Sequence, residues 1–177
     1  MPHLSKEQEA NLLHLISEFP CLFKELPTRT TVLEHDIEVG ESRPIKQHPY
    51  GVNAAKSTIM KQEVDYLLEH NLAQHSSCPC SSPCLLVPKP DAIVRFCSDY
   101  RKVNHVPDSF SMPRVDDCVD TIGSALYVTK LDLLKGYWLV PLSLRASAIS
   151  AFVTPDNFLQ YSVMDFGMRN SPAPSKG

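Results

Sequence analysis

Val87-Pro88-Lys89-Pro90-Asp91-Ala92-Ile93-Val94-Arg95-Phe96-Cys97-Ser98-Asp99-Tyr100-Arg101-Lys102-Val103-Asn104 is the stretch on which the fold reading turns. Two short apolar runs, residues 84–87 and 93–97, flank Lys89, Pro90, Asp91 and Ala92. Runs of that length around a turn-forming cluster predict a β-hairpin. The hairpin carries cations at Lys89 and Arg95, then a polar tail of Asp99, Arg101 and Asn104.

Working outward, Ser5 followed by Gln8 is a capping-box pattern and opens a helix. Leu12, Leu13, Leu15, Ile16 and Phe19 form its broad apolar side, and Pro20 ends it. Residues 26–50 read as extended. Asn53 caps a second helix, with Ile59, Met60, Val64, Leu67 and Leu68 at helical spacing and Asn71 as its stop. Residues 74–83, rich in Ser, Pro and Cys, read as a loop. Residues 112–123 predict a short helix ending in Gly, and residues 126–133 a strand leading into Lys135-Gly136. A last hairpin is expected to join residues 149–154 to 158–163 across Pro155-Asp156-Asn157. Helices followed by hairpins mixed with helices predict an α+β fold.

Bulk composition narrows function by exclusion. Net charge is −3, so affinity for nucleic acid cannot come from overall charge and must rest on local Lys and Arg. Pro outnumbers Gly, 15 to 6, which favours extended segments and turns over a helical bundle. No apolar run approaches the ~20 residues that span a bilayer. The first residues are polar and charged, unlike a secretory signal. With six cysteines and no such signal, free thiols and an intracellular location are expected.

Two further segments accompany the first. One is Val128-Thr129-Lys130-Leu131-Asp132-Leu133-Leu134-Lys135-Gly136-Tyr137-Trp138, and the other is Gln160-Tyr161-Ser162-Val163-Met164-Asp165-Phe166-Gly167-Met168-Arg169-Asn170-Ser171-Pro172-Ala173. In this order the three resemble the fingers hairpin and two palm motifs of reverse transcriptases of long-terminal-repeat retrotransposons. The likeness to the gypsy-type Pol polyprotein runs from about His35 to Ala173. It implies a reverse-transcriptase-like polymerase, fingers plus incomplete palm. The implied divisions are an N-terminal helix and linker over 1–34, fingers and partial palm over 35–173, and a divergent tail over 174–177. The implied activity is RNA-directed DNA polymerisation, in a Pol polyprotein that would also carry ribonuclease H. Its substrates would be a primed RNA or DNA template and deoxynucleoside triphosphates, and its cofactor Mg²⁺.

The chemistry fits those residue types. Phosphoryl transfer needs charge stabilised on the transferring group, which two metal ions held by carboxylates achieve. Asp132, at the end of an apolar run, falls on the first catalytic aspartate, the metal-holding residue of the palm. A lone strand-end aspartate is more often merely solvated; the flanking motifs reverse that balance. Lys89 and Arg95 match positions that touch the incoming triphosphate, and Arg suits phosphate through two parallel hydrogen bonds. A solvated charged hairpin explains Lys89 equally well. Tyr137 matches the steric gate that senses the sugar 2′-OH. Asp99, Arg101 and Asn104 match positions that brace the fingers or lie near the template, Asp99 as a brace.

The sequence also departs from the family. No Tyr-x-Asp-Asp occurs in these 177 residues, so the chain alone is expected to be a catalytically incompetent fragment. Ala92 stands for a hairpin Gly, Cys80 for Trp, Leu139 for Gln, Ser111 for Pro, and Asp165 for a small residue or Pro. Together these departures suggest the rival assignment: a decayed or domesticated fragment that binds nucleic acid or a polymerase partner without catalysis. Cys78, Cys80, Cys84 and His75 lack the paired spacing of common zinc sites, and no zinc is expected. Asp165-Phe166-Gly167 spells a kinase magnesium motif, but the other kinase motifs are absent.

Overall fold

The computed structural model describes residues 4–20, 28–37, 43–88, 94–103, 114–123, 125, 128–130 and 135–168. Helix α1, Lys6–Glu18, begins with the expected capping box: the Gln8 N–H donates to Ser5 Oγ at 3.2 Å, and the Ser5 N–H donates to Gln8 Oε1 at 2.8 Å. None of its residues is buried, and Leu13, Leu15 and Phe19 are exposed. Its apolar side is therefore not part of the core.

Helix α2, Ala54–Glu69, is the core helix. Asn53 Oδ1 accepts from the Lys56 N–H at 2.9 Å, closing its first turn. Its end follows the Schellman pattern: the Asn71 N–H donates to Leu68 O, the Leu72 N–H to Leu67 O, and Asn71 sits in the left-handed region at φ 56°. That bend delivers Leu72 into the core and starts strand β1, Ala73–His75, at once. Met60, Val64 and Leu67 are the buried face of α2.

Five strands form one sheet in the order β1-β5-β4-β2-β3. The predicted hairpin is present as β2, Ser82–Pro88, and β3, Val94–Ser98, antiparallel from Cys84↔Ser98 to Pro88↔Val94. The C-terminal hairpin is β4, Phe152–Val153, and β5, Phe158–Tyr161, with Thr154 and Asn157 hydrogen-bonded across the turn. β2 joins β4 in parallel through Ser82 and Pro83, while β1 pairs antiparallel with β5. Phe152, Leu159, Tyr161 and Val163 are fully buried where α2 and the sheet meet. Helix α3, Val115–Ile122, falls where a short helix was expected, but it buries none of its residues.

Three expectations need correction. The segment read as a loop, 74–83, contains most of β1 and the start of β2. The strand expected over 149–154 is shortened, because α4, Leu144–Ile149, occupies its beginning. Of the strand expected over 126–133, the described residues 128–130 carry no pairing; 126, 127 and 131–133 lie outside the described residues.

Buried serines explain α4. The Ser147 hydroxyl donates to Tyr161 O at 2.6 Å, the Ser150 hydroxyl donates to Ser147 O at 2.7 Å, and Ser150 Oγ accepts from the Tyr161 N–H at 2.9 Å. These bonds satisfy backbone groups of β5 in a site closed to water. Ser150→Ala deletes the acceptor for a buried N–H and should destabilise the chain by about 1–3 kcal/mol in chemical denaturation. An unchanged denaturation midpoint would show that this bond contributes nothing.

Candidate active site

Strand β3, the segment 135–138, α2 and the 165–166 turn together line a cleft of about 430 Å³. Its lining includes Glu63 and Tyr66 from α2, Arg95 and Phe96 from β3, Lys135 and Trp138, and Asp165 and Phe166. Arg95 pairs in register with Val87 and is exposed. Among the described residues neither Arg95 nor Lys135 has an ion-pair partner.

Lys135 is held firmly nonetheless. It adopts φ 51°, ψ 43° and leads into a 3-10 helix, Gly136–Leu139. Its Nζ donates to the Tyr66 hydroxyl at 2.7 Å and lies 4.5 Å from the Tyr66 ring centre and 4.4 Å from that of Trp138. Both separations are within cation–π range. Tyr137 is half-buried and packs edge-on against Phe166, ring centres 4.6 Å apart. Since Phe166 lines the cleft, Tyr137 stands at its border.

Asp165 is 7% exposed, and loss of solvent pushes its carboxyl up to about 6, against the pull of the Phe166 and Gly167 N–H groups it accepts from. Gly167 passes so close to β3 that an added Cβ would sit 2.8 Å from Ser98 O and 2.9 Å from the Tyr100 ring. Only glycine lets the turn that carries Asp165 and Phe166 lie against the hairpin.

Beyond the end of β3, Asp99 is held by three side-chain hydrogen bonds. Its carboxylate accepts from Arg101 Nε at 2.8 Å, from Arg101 Nη2 at 2.6 Å and from the Tyr50 hydroxyl at 2.7 Å. The Arg101 guanidinium, foremost, holds the Asp99 carboxyl well below the usual carboxylate range. A second groove of about 530 Å³ opens here, with Lys46, His48, Tyr50, Arg101 and Lys102 in its lining. Its cations give the strip beside Asp99 a positive character that the net charge conceals.

Arg95 thus lines the cleft, Tyr137 touches it through Phe166, and Asp99 and Arg101 pair with each other elsewhere. Lys89, Asn104 and Asp132 lie outside the described residues. Among the described residues no group of three or more His, Cys, Asp or Glu is arranged to hold a metal ion. The Cys78 thiol donates to Gln160 Oε1 at 3.2 Å, and burial pushes the Cys84 thiol up. Sequence reasoning missed Lys135, Tyr66 and Asp165. A basic residue within the second motif was the available signal for Lys135, but its partner Tyr66 lies 69 positions away.

No protein-family model matches the chain. It is 31% identical over 183 residues to the retrovirus-related Pol polyprotein from transposon 297 of Drosophila melanogaster, covering 98% of this chain and 17% of that polyprotein. It is 26% identical over 179 residues to the corresponding polyprotein from transposon 412 of the same fly, covering 97% and 14%. The transposon Tf2-3 polyprotein of Schizosaccharomyces pombe matches at 26% over 176 residues, covering 94% and 13%. The chain therefore spans less than a fifth of the length of these curated relatives. Among solved structures, a prototype foamy virus protease-reverse transcriptase superposes with a TM-score of 0.76 at 24% identity, covering 97% of this chain and 24% of the viral one. A foamy viral protease-reverse transcriptase in complex with double-stranded DNA gives 0.77 at 24% identity, covering 97% and 31%. Another, in complex with an RNA/DNA hybrid, gives 0.77 at 22%, covering 97% and 24%.

Asp165 yields a prediction with a definite sign. Unfolded, its carboxyl ionises near 3.8; folded, near 6. Between those values the unfolded chain has released a proton the folded chain still holds, so stability falls as pH rises, by about 3 kcal/mol in all, and levels off about a unit above the folded value. Asp99 acts with the opposite sign, but its contribution is complete above 3.8. Asp165→Asn should remove the fall between pH 4 and 6, measured by denaturant titration. Parallel curves for both proteins would contradict it. The homologues of this chain are Pol polyproteins of retrotransposons, and its α+β fold is that of the fingers and part of the palm of reverse transcriptase.

Proposed function

We propose that the chain is the fingers and part of the palm of an RNA-directed DNA polymerase, within a Pol polyprotein of gypsy type that also carries ribonuclease H. The observation that carries the proposal is the meeting of Arg95, from the fingers hairpin, with Lys135 and Trp138 of the palm motif in the lining of one cleft. A deoxynucleoside triphosphate matches such a cleft. Its phosphates suit the exposed guanidinium of Arg95, and its sugar suits the aromatic border made by Tyr137 and Phe166. Lys89, on the same hairpin by sequence, would add a second cation near the phosphates.

The second groove is the proposed template-binding surface. Arg101 and Lys102 there line the basic groove, and Asn104 follows in sequence. Asp99 fixes the Arg101 fork, so the groove keeps its shape without a ligand. The foamy viral neighbours were seen with double-stranded DNA and with an RNA/DNA hybrid, which supports a primed template as the partner. Among the described residues no helix is long and apolar enough to cross a membrane.

Mg²⁺ is the proposed cofactor and Asp132 its proposed ligand. When bound, the ion would neutralise charge on the triphosphate. The described residues build no metal site of their own. Asp132 supplies one carboxylate, and Mg²⁺ is commonly held by one or two carboxylates together with substrate phosphates.

A chimera that joins this chain to the remaining palm and the thumb of a related polymerase tests the assignment. It should extend a DNA primer on an RNA template. Asp132→Asn should reduce extension to background, and Tyr137→Ala should admit ribonucleotides. Full extension by the Asp132→Asn chimera would refute the role given to Asp132.

A further inference from the structure

Lys135 lines the cleft and is its most tightly placed cation. Its ammonium is caged by two aromatic rings at 4.5 and 4.4 Å and anchored by the Tyr66 hydroxyl at 2.7 Å. Its backbone sits in the left-handed region, an uncommon conformation for a residue other than glycine. Tyr66 is positioned in turn by its ring contact with His70, centres 4.3 Å apart. An ammonium has three N–H donors, and the Tyr66 bond uses one. No carboxylate among the described residues forms an ion pair with it.

We propose that Lys135 is a second phosphate-contacting residue of the cleft, acting with Arg95 on the polyphosphate tail of the nucleotide, with Tyr66 and Trp138 as its positioning residues. The inference rests on the nucleotide-cleft assignment. Its physical basis is separate: two cations from different elements line one cleft of about 430 Å³. A lysine free in solvent would lose side-chain entropy on meeting phosphate; a caged one has already lost it. Arg95 supplies the planar fork and Lys135 the compact point charge, so together they favour a chain of phosphates over a single carboxylate.

The chain's single tryptophan, Trp138, forms one wall of the cage and is therefore a built-in reporter. The experiment titrates the full chain with inorganic tripolyphosphate, and separately with a deoxynucleoside triphosphate, while following Trp138 emission. Both probes should give a saturable change. Lys135→Met should weaken both by about tenfold, the scale of a lost charge-assisted contact. Lys135→Arg should recover part of the loss, and Tyr66→Phe should weaken binding severalfold while leaving the helix content unchanged. Calorimetry repeats each titration, since the emission change itself depends on Lys135. If Arg95→Ala loses binding while Lys135→Met binds as wild type, the Lys135 inference is overturned and the nucleotide cleft stands. If neither substitution alters triphosphate affinity, or wild type binds neither probe, the cleft assignment falls together with the inference.

Discussion

Two residue pairs hold the architecture together: Ser82 with Phe152 and Pro83 with Val153, in parallel. They couple the fingers hairpin β2–β3 to the C-terminal hairpin β4–β5, which sequence places far apart. The Ser82 N–H donates to Ala151 O at 2.9 Å, and Pro83, having no N–H, offers β4 nothing further. Pro83 O instead accepts from the Asp99 N–H at 2.8 Å, turning the chain's partner from β4 to β3 and its outgoing segment. Both residues of this joint are buried. Without it, Arg95 on one hairpin and the 165–166 turn following the other would not face a common cleft.

Electrostatics acts on this frame locally. A chain of net charge −3 concentrates cations in two strips, one with Arg95 and Lys135, the other with Lys46, Arg101 and Lys102. Asp99 and Asp165 are both aspartates of low exposure with opposite consequences. Asp99 has Arg101 and Tyr50 as partners and stays ionised to low pH. Asp165 answers mainly to desolvation and ionises late, which makes this part of the cleft lining a cost that the fold carries at neutral pH.

What the sequence made legible was local. Helices α1 and α2 were marked by Ser5, Gln8, Asn53 and Asn71, whose caps are short-range hydrogen bonds. The β2–β3 hairpin was marked by two apolar runs around a turn cluster. Strand β1 was not legible, because Ala73, Gln74 and His75 become a strand only through pairing with β5, some 85 residues away. Helix α4 was hidden for a related reason: its serines look indifferent until β5 supplies the backbone groups they satisfy. At the site, Arg95 and Tyr137 were singled out through the resemblance of their motifs to those of reverse transcriptases. The cage around Lys135 was not, since α2 brings Tyr66 to it across the fold.

The central claim is that a nucleotide occupies the cleft between β3 and residues 135–138. Photolabelling with an azido-deoxyadenosine triphosphate, followed by peptide mapping of the modified chain, tests it most directly. The account predicts adducts within residues 94–96, 135–138 or 165–166, suppressed by excess unmodified deoxynucleoside triphosphate. Competable adducts confined to other segments, such as α1 or α3, would contradict it.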